Sequence, residues 1–308
     1  MKIGTDDFLS MVYNYIKSPE KTVELINNAF SELCSSYESL WYRPPGYYEI
    51  LDYDEVYVIG DLHGDYETFI EIMSKEQLIE KLSEYSGVKI VFLGDYIDRG
   101  AYQLEVIASV LLLKYLFPEN IVLLRGNHEP PPFLIPYPHD FPEHLIQRFG
   151  VEGKDLYYKF LRIFQKIPVI ARIPGKILFL HGGVPIEVVE AKCFEEVFNI
   201  GYPAIDDQVL EEIIWSDPLN NPSVLYEYSF RGAGILYGPQ LTGKMLQLAN
   251  TKYIVRGHEA IDGYKLDHGG KVVTIFTSKI PYGLVQGSYM YFRKEDDLSD
   301  IEQFIKLI

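Results

Sequence analysis

Cysteine is scarce in this sequence. Cys34 and Cys193 are the two in 308 residues, and neither lies in a cluster of polar side chains. That excludes a disulfide framework and a thiolate metal centre, and it leads to the expectation of a reducing, cytoplasmic compartment. Long apolar runs are missing too. The longest candidate, Val106 to Phe117, is interrupted by Lys114, and no window approaches the roughly 18 uncharged apolar residues of a spanning helix. A soluble chain with no membrane partner is expected. Met1 to Lys17 carries Asp6 and Asp7 and lacks the basic start and apolar stretch of a secretory signal. Basic side chains are outnumbered, 28 against 44 acidic ones, for a formal charge of −16. General affinity for DNA or RNA needs a basic footprint, so no nucleic-acid partner is expected. The same balance means that any phosphate site must generate its own positive field, and bound metal ions are one source of it.

What the chain does have is one construction repeated five times: an apolar run that stops at a glycine-bearing polar cluster. Val56 to Ile59 runs into Gly60-Asp61-Leu62-His63-Gly64, and Ile90 to Leu93 into Gly94-Asp95-Tyr96-Ile97-Asp98-Arg99-Gly100. Ile121 to Leu124 runs into Arg125-Gly126-Asn127-His128-Glu129, Ile177 to Leu180 into His181-Gly182-Gly183, and Tyr253 to Val255 into Arg256-Gly257-His258-Glu259. Strands fix positions and glycines permit sharp turns and close approach, so sites in α/β sheets are built in the loops beyond the carboxyl ends of strands. The five clusters are expected to converge.

With 47% hydrophobic and 14% aromatic residues, the chain can bury one large core. Residues 1–50 are expected to form an N-terminal helical packing segment and 51–308 a single unit that carries the site. In the first part, Thr5 reads as a helix cap, Ser18-Pro19-Glu20 as a break and restart, and Val23, Ile26, Phe30 and Leu33 as an apolar face. Arg43-Pro44-Pro45-Gly46 ends the helical stretch, and a tyrosine-rich link leads to the first strand. From Val56 to Gly126 the pattern is βαβαβ, with helices at about Tyr66 to Tyr85 and Gln103 to Leu116. Pro130 to Pro142 is too proline-dense for regular structure, and a helical region from about Glu143 to Gln165 follows. From Val169 onward, short apolar runs between turn signals predict an added, partly antiparallel sheet. Gly287 to Arg293 reads as a strand, and Glu302 to Ile308 as a strand or a helix.

Aspartate, histidine and asparagine are hard or borderline ligands that suit manganese, iron or zinc. Asp61 and His63 would share one strand end, whereas Asp95, Asn127, His181 and His258 each leave a different one. Two divalent cations bridged by a carboxylate could polarise a phosphoryl oxygen and lower the pKa of bound water, which makes this a hydrolase site. A lone histidine is more often structural than a ligand, and His139, His144 and His268 are read that way. Joint placement at strand ends reverses that reading for His63, His181 and His258.

The ordered set G-D-L-H-G, G-D-Y-I-D-R-G, L-R-G-N-H-E, H-G-G and R-G-H-E is supported by Trp215-Ser216-Asp217-Pro218 and Phe230-Arg231-Gly232. Over roughly Val56 to Tyr282 the chain therefore resembles metal-dependent serine/threonine phosphatases of the phosphoprotein phosphatase family, within the calcineurin-like metallophosphoesterases. Its shorter last motifs resemble archaeal or bacterial members. The resemblance implies an α/β chain with α+β elements: a central two-sheet sandwich of mixed sheets flanked by helices, the metallophosphoesterase fold. It implies two divalent ions, manganese first and iron or zinc as options, with Asp61 and His63 on one, Asn127, His181 and His258 on the other, and Asp95 bridging. Arg99 and Arg231 correspond to phosphate clamps, Asn127 and Tyr282 to further phosphate-binding positions, His128 to the acid that protonates the leaving oxygen and Asp98 to its orienting partner. Arg125 and Arg256 are expected to be structural. Asp98 is expected to raise the pKa of His128.

The implied substrates are phosphoproteins, with inorganic phosphate as product; no regulatory subunit can be named from the sequence. Thr277-Ser278-Lys279-Ile280-Pro281-Tyr282-Gly283 departs from the eukaryotic S-A-P-N-Y-C pattern, which leaves substrate contacts at Lys279 open. Two rivals stand beside this reading. One is a diadenosine tetraphosphate hydrolase or other metallophosphoesterase; the other is a non-catalytic binding module that would have lost a ligand or the acid.

Overall fold

The structure is a computed structural model that describes residues 2–35, the backbone of 42–43, and residues 47–198 and 205–308. In chain order the strands are β1 (Tyr42–Arg43), β2 (Tyr47–Glu49), β3 (Glu55–Ile59), β4 (Val88–Phe92), β5 (Ile121–Leu123), β6 (Ile170–Ile173), β7 (Ile177–Leu180), β8 (Asp217–Pro218), β9 (Tyr226–Tyr228), β10 (Ile235–Tyr237), β11 (Tyr253–Arg256), β12 (Tyr264–Asp267), β13 (Val272–Ile275), β14 (Ser288–Arg293) and β15 (Ile305–Leu307). The helices are α1 (Thr5–Ile16), α2 (Pro19–Ser35), α3 (Tyr66–Lys75), α4 (Leu78–Glu84), α5 (Gln103–Leu116), α6 (Phe141–Phe149), α7 (Val151–Phe164), α8 (Asp207–Trp215) and α9 (Pro239–Ala249).

Two mixed sheets face each other, in the orders β15-β14-β3-β4-β5 and β1-β2-β6-β7-β11-β13-β12. Strand alternation explains the layers. Val56, Val58, Val91 and Val122 point into the space between the sheets, where they meet Ile177, Phe179, Val255 and Val273. Their neighbours Tyr57, Ile59, Ile90, Phe92, Ile121 and Leu123 point the other way, under α1 to α7. On the far side, Leu178, Leu180, Ile254 and Val272 pack against α8 and α9. Strands buried on both faces read as unbroken apolar runs, which is why the five runs stood out in the sequence. Each fully buried aliphatic or phenyl side chain contributes about 1.5–3 kcal/mol. The expected two-sheet sandwich flanked by helices is therefore the fold, with a small third sheet, β8-β10-β9, that the sequence reading did not anticipate.

Several element boundaries differ from expectation, each for a physical reason. Gly4, not Thr5, occupies the cap position of α1; Thr5 is the first helical residue, and its hydroxyl bonds Glu80 Oε1 at 2.9 Å. The break at Ser18-Pro19 is where it was expected. The helix expected over Tyr66 to Tyr85 is two, because Gln77 adopts a left-handed φ of 51° and redirects the chain so that Leu78, Ile79 and Leu82 are buried. Gly150, at φ 65°, likewise divides α6 from α7. The tyrosine-rich link contains β2, which pairs in parallel with β6, as the strand preference of tyrosine permits. The expected stop at Pro44-Pro45-Gly46 lies outside the described residues. Pro142 sits in the first turn of α6, where its missing donor costs nothing. The last segment is both alternatives in turn, a 3-10 turn at Ile301–Phe304 and then β15.

Candidate active site

The loops leaving β3, β4, β5, β7 and β11 meet at one rim. Asp61, His63, Asp95, Asn127, His181 and His258 are all buried there. Close approach depends on glycine at two points: a Cβ on Gly126 would lie 2.1 Å from Asp95 Oδ1, and one on Gly257 would lie 2.1 Å from Asp61 Oδ1. The turns are also strained. Among the described residues, His63 (φ 44°), Asp95 (54°), Asp98 (67°), Arg99 (73°) and His258 (72°) hold left-handed backbone conformations. Each such non-glycine residue costs about 1–3 kcal/mol and persists where the surroundings over-determine it, typically at sites.

The potential ligand atoms fall into two groups that share Asp95. Its Oδ2 lies 3.3 Å from Nε2 of His63 and 3.4 Å from Nε2 of His181. In the first group, Asp61 Oδ2 is 3.8 Å from His63 Nε2. In the second, Asn127 Oδ1 is 3.0 Å from His181 Nε2 and 2.9 Å from His258 Nδ1. Ligands about 2.1 Å from a common ion stand roughly 3.0–3.4 Å apart; the separations around Asp95 and Asn127 match that spacing, and the one between Asp61 and His63 is wider. Proton placement fits as well. His63 Nδ1 donates to Ile97 O at 2.8 Å and His181 Nδ1 donates to Leu93 O at 2.9 Å, which turns each Nε2 into the site. The raised pKa of both rings favours a proton on Nε2 facing these oxygens, and that proton's position is the one a divalent cation would take.

Electrostatics agree. Burial opposes a charged His63 ring, yet Asp95 and Asp61 carry it up to about 9. Burial likewise opposes ionisation of Asp95, but His181 and His128 hold its carboxyl well below the usual range. The pocket thus favours positive charge at the positions where cations would bind. Burial, with His181 and Arg231 close by, pushes His258 far below its ordinary value, so its ring is a neutral donor. Burial and then Asp95 push Glu129 up to about 8. Its two oxygens accept backbone N–H groups from Asp95, Tyr96 and Gly126 at 2.8, 2.8 and 3.1 Å, clamping two of the loops together.

Beside the two groups, His128 Nδ1 donates to Asp98 Oδ2 at 2.5 Å. Contrary to expectation, burial outweighs Asp95 and Asp98 and leaves the His128 ring below its ordinary value. His139, read from sequence as an ordinary structural histidine, belongs to this cluster: its Nδ1 donates to the same Asp98 Oδ2 at 2.7 Å. His144 stays outside the cluster, and His268 is held by Thr242 and Leu219 as a turn residue, as expected.

Arg99, Arg231, Tyr282, Asn127 and His128 line one cavity of about 630 Å³. Arg99 sits with Nη2 3.5 Å from His128 Nε2 and bonds Tyr282, whose ring lies 5.6 Å from that of His63. Arg231 Nε donates to Asp217 Oδ2 at 2.6 Å. Asp217 was legible only as part of a motif; its hold on Arg231 was not. Arg256 is fully buried and bonds Asp217 and Glu259, and Arg125 Nε donates to Glu129 O, both structural as expected. Lys279, whose contacts the sequence left open, pairs with Glu71 at 3.1 Å.

The sequence matches the calcineurin-like phosphoesterases over residues 55–262. It is 34% identical over 226 residues to a serine/threonine-protein phosphatase of Caenorhabditis elegans, covering 72% of this chain and 47% of that one. It is 30% identical over 235 residues to serine/threonine-protein phosphatase 5 of Homo sapiens, covering 73% and 43%. The chain thus spans less than half the length of these relatives. Among solved structures, a protein serine/threonine phosphatase from Saccharomyces cerevisiae with similarity to human PP5 superposes with a TM-score of 0.72 at 22% identity, over 94% of this chain and 89% of that one. A cold-active protein-tyrosine phosphatase of Shewanella superposes with a TM-score of 0.53 at 19% identity, over 81% and 78%. These two likenesses are of fold.

Proposed function

The chain belongs to the calcineurin-like phosphoesterase family, and on that premise we propose that it hydrolyses phosphoserine and phosphothreonine monoesters in proteins, releasing inorganic phosphate. The observation that carries this reading is the pair of ligand groups sharing Asp95, with two arginines and the His128–Asp98 pair facing the same cavity. Similarity to serine/threonine-protein phosphatases over most of the chain supports the choice of substrate class.

In this reading Asp61, His63 and Asp95 hold one divalent cation and Asp95, Asn127, His181 and His258 a second, with manganese preferred and iron or zinc compatible with the oxygen and nitrogen donors. When bound, the ions supply the positive charge that lowers the pKa of an attacking water and polarises a phosphoryl oxygen. The chain's own residues do the rest. Arg99 and Arg231 present planar forks that pair with phosphoryl oxygens and orient the ester for in-line displacement. Asn127 and Tyr282 flank the same phosphate. His128, held through Nδ1 by Asp98, directs Nε2 at the leaving oxygen and gives it a proton. We assign residues 51–308 to the catalytic unit and 1–50 to a packing segment. A cytoplasmic location is supported by the free thiols Cys34 and Cys193.

The test compares kcat/KM on phosphoserine, phosphothreonine and phosphotyrosine peptides with that on diadenosine tetraphosphate, all with added manganese. The first two substrates should be preferred by a wide margin. Preference for the dinucleotide would transfer the chain to nucleotide hydrolysis, and absence of turnover on all four would make it a binding module.

A further inference from the structure

Asp98 accepts four hydrogen bonds beside the cavity. Its Oδ2 accepts Nδ1 of His128 at 2.5 Å and Nδ1 of His139 at 2.7 Å, and its Oδ1 accepts the backbone N–H groups of Asp140 at 3.0 Å and Phe141 at 2.9 Å. A carboxylate offers about four acceptor positions, so all of them are filled. Three of the four donors come from consecutive residues, 139 to 141, which wrap around the carboxylate after the proline-rich run. The His139 side chain is itself 6% exposed. Its Nε2 is hydrogen-bonded to the Tyr157 hydroxyl on α7 at 2.7 Å.

We propose that His139 is a positioning residue: tied to Tyr157 on one side, it locks the Asp98 carboxylate in the rotation that aims His128 at the leaving oxygen. The proposal rests on the reading of His128 as general acid. Asp98, His128 and His139 are also close enough to hold a metal ion. Contacts of 2.5 and 2.7 Å are N–H···O hydrogen-bond lengths, however, and ligands sharing an ion would stand at roughly 3 Å. Without His139, Asp98 Oδ2 keeps one donor and gains room to turn, and His128 turns with it. A displacement of this kind costs up to about 100-fold in rate when a proton must be delivered. It costs little when the leaving group needs no proton.

The experiment measures kcat on a phosphoserine peptide and on p-nitrophenyl phosphate, with metal content and a thermal melt, for His139→Ala, His139→Asn, Tyr157→Phe, His128→Asn and the double variant His128→Asn/His139→Ala. His139→Ala should lose about 10- to 100-fold on the peptide and little on p-nitrophenyl phosphate, with metal content unchanged. His139→Asn, which retains a donor near Nδ1, should recover part of the loss. The double variant should be no slower on the peptide than His128→Asn. Equal losses on both substrates, no loss, additive losses in the double variant, or the disappearance of an ion from His139→Ala would each overturn the positioning role while leaving the general acid intact. If His128→Asn itself fails to discriminate between the two leaving groups, the general-acid reading falls and the proposal with it. Should His139→Ala not fold, Tyr157→Phe and His139→Asn carry the same comparison, and a leaving-group split in neither would overturn the proposal.

Discussion

Asp217 holds Arg231: the carboxylate accepts Arg231 Nε at 2.6 Å through one oxygen and leaves the terminal guanidinium nitrogens for the cavity. Its other oxygen takes Nη2 of the fully buried Arg256 at 3.0 Å. Arg231→Ala should therefore raise KM for phosphopeptide and the inhibition constant for inorganic phosphate by roughly 10- to 100-fold, the worth of hydrogen bonds to a charged group. Metal content should not change. Arg231→Lys should restore the charge and little of the affinity, because an ammonium cannot reproduce the fork. Loss of metal in Arg231→Ala would make the residue structural instead.

Asp95 touches a histidine of each ligand group, so Asp95→Asn should abolish occupancy at both and turnover with it. Elemental analysis reads this directly. Thermal melts give a second readout, since an ion at 100 times its Kd stabilises the folded state by about 2.7 kcal/mol. Manganese should raise the wild-type midpoint and leave the variant's unmoved. Full activity of chelator-stripped protein would refute the metal assignment.

Lys114 provides a test of stability away from the site. Its Nζ is buried, donating to Pro118 O at 2.6 Å and Ile121 O at 3.0 Å, and burial pushes its pKa down to about 8. Between about pH 8 and 10.5 the unfolded chain binds a proton that the folded chain lacks, so this residue's contribution to stability rises with pH across that window and is lost as pH falls through 8. Relative to Lys114→Met, the wild type should gain on the order of 3 kcal/mol over that range. Urea unfolding of both proteins at the two ends would show it; parallel pH profiles would contradict it.

The N-terminal helices cover α5, whose residues from Gln103 to Lys114 are nearly all buried. Phe8, Val12, Ile16, Leu25, Ile26 and Leu33 belong to the same core. Deleting residues 2–35 should bare an apolar surface and yield aggregated protein without a cooperative melt. A truncated chain that melts cooperatively and binds metal normally would show that α1 and α2 are dispensable.

How much of this was legible depended on how local each signal was. The ligand-bearing loops stood out because an apolar run, a glycine and a ligand lie within ten residues of one another, as from Ile90 to Asp98. The sandwich came from the family resemblance; runs such as Val56 to Ile59, with no polar face to give to water, said only that these strands are buried. His139 was not legible: its partner Asp98 lies 41 residues earlier in the chain, and nothing in Pro138-His139-Asp140 says that the loop folds back on it. The break at Gln77 was hidden because a glutamine carries no turn signal, and burial of Leu78, Ile79 and Leu82 outweighs its backbone strain. The expected rise in the His128 pKa failed because charge partners can be guessed from a motif, whereas the depth of burial cannot.

One pairing sets an order on synthesis. β3 lies between β4 and β14, and Ile59 is opposite Tyr289 in the antiparallel ladder. At about 5–20 residues per second, the ribosome needs on the order of tens of seconds to supply that partner. Until then the strand that leads to Asp61 and His63 has an open edge, flanked by valines meant for the interior, of the kind that recruits strands from other chains. The nascent chain thus carries an unpaired strand edge next to the loop that holds Asp61 and His63, and a holding chaperone would find footing there.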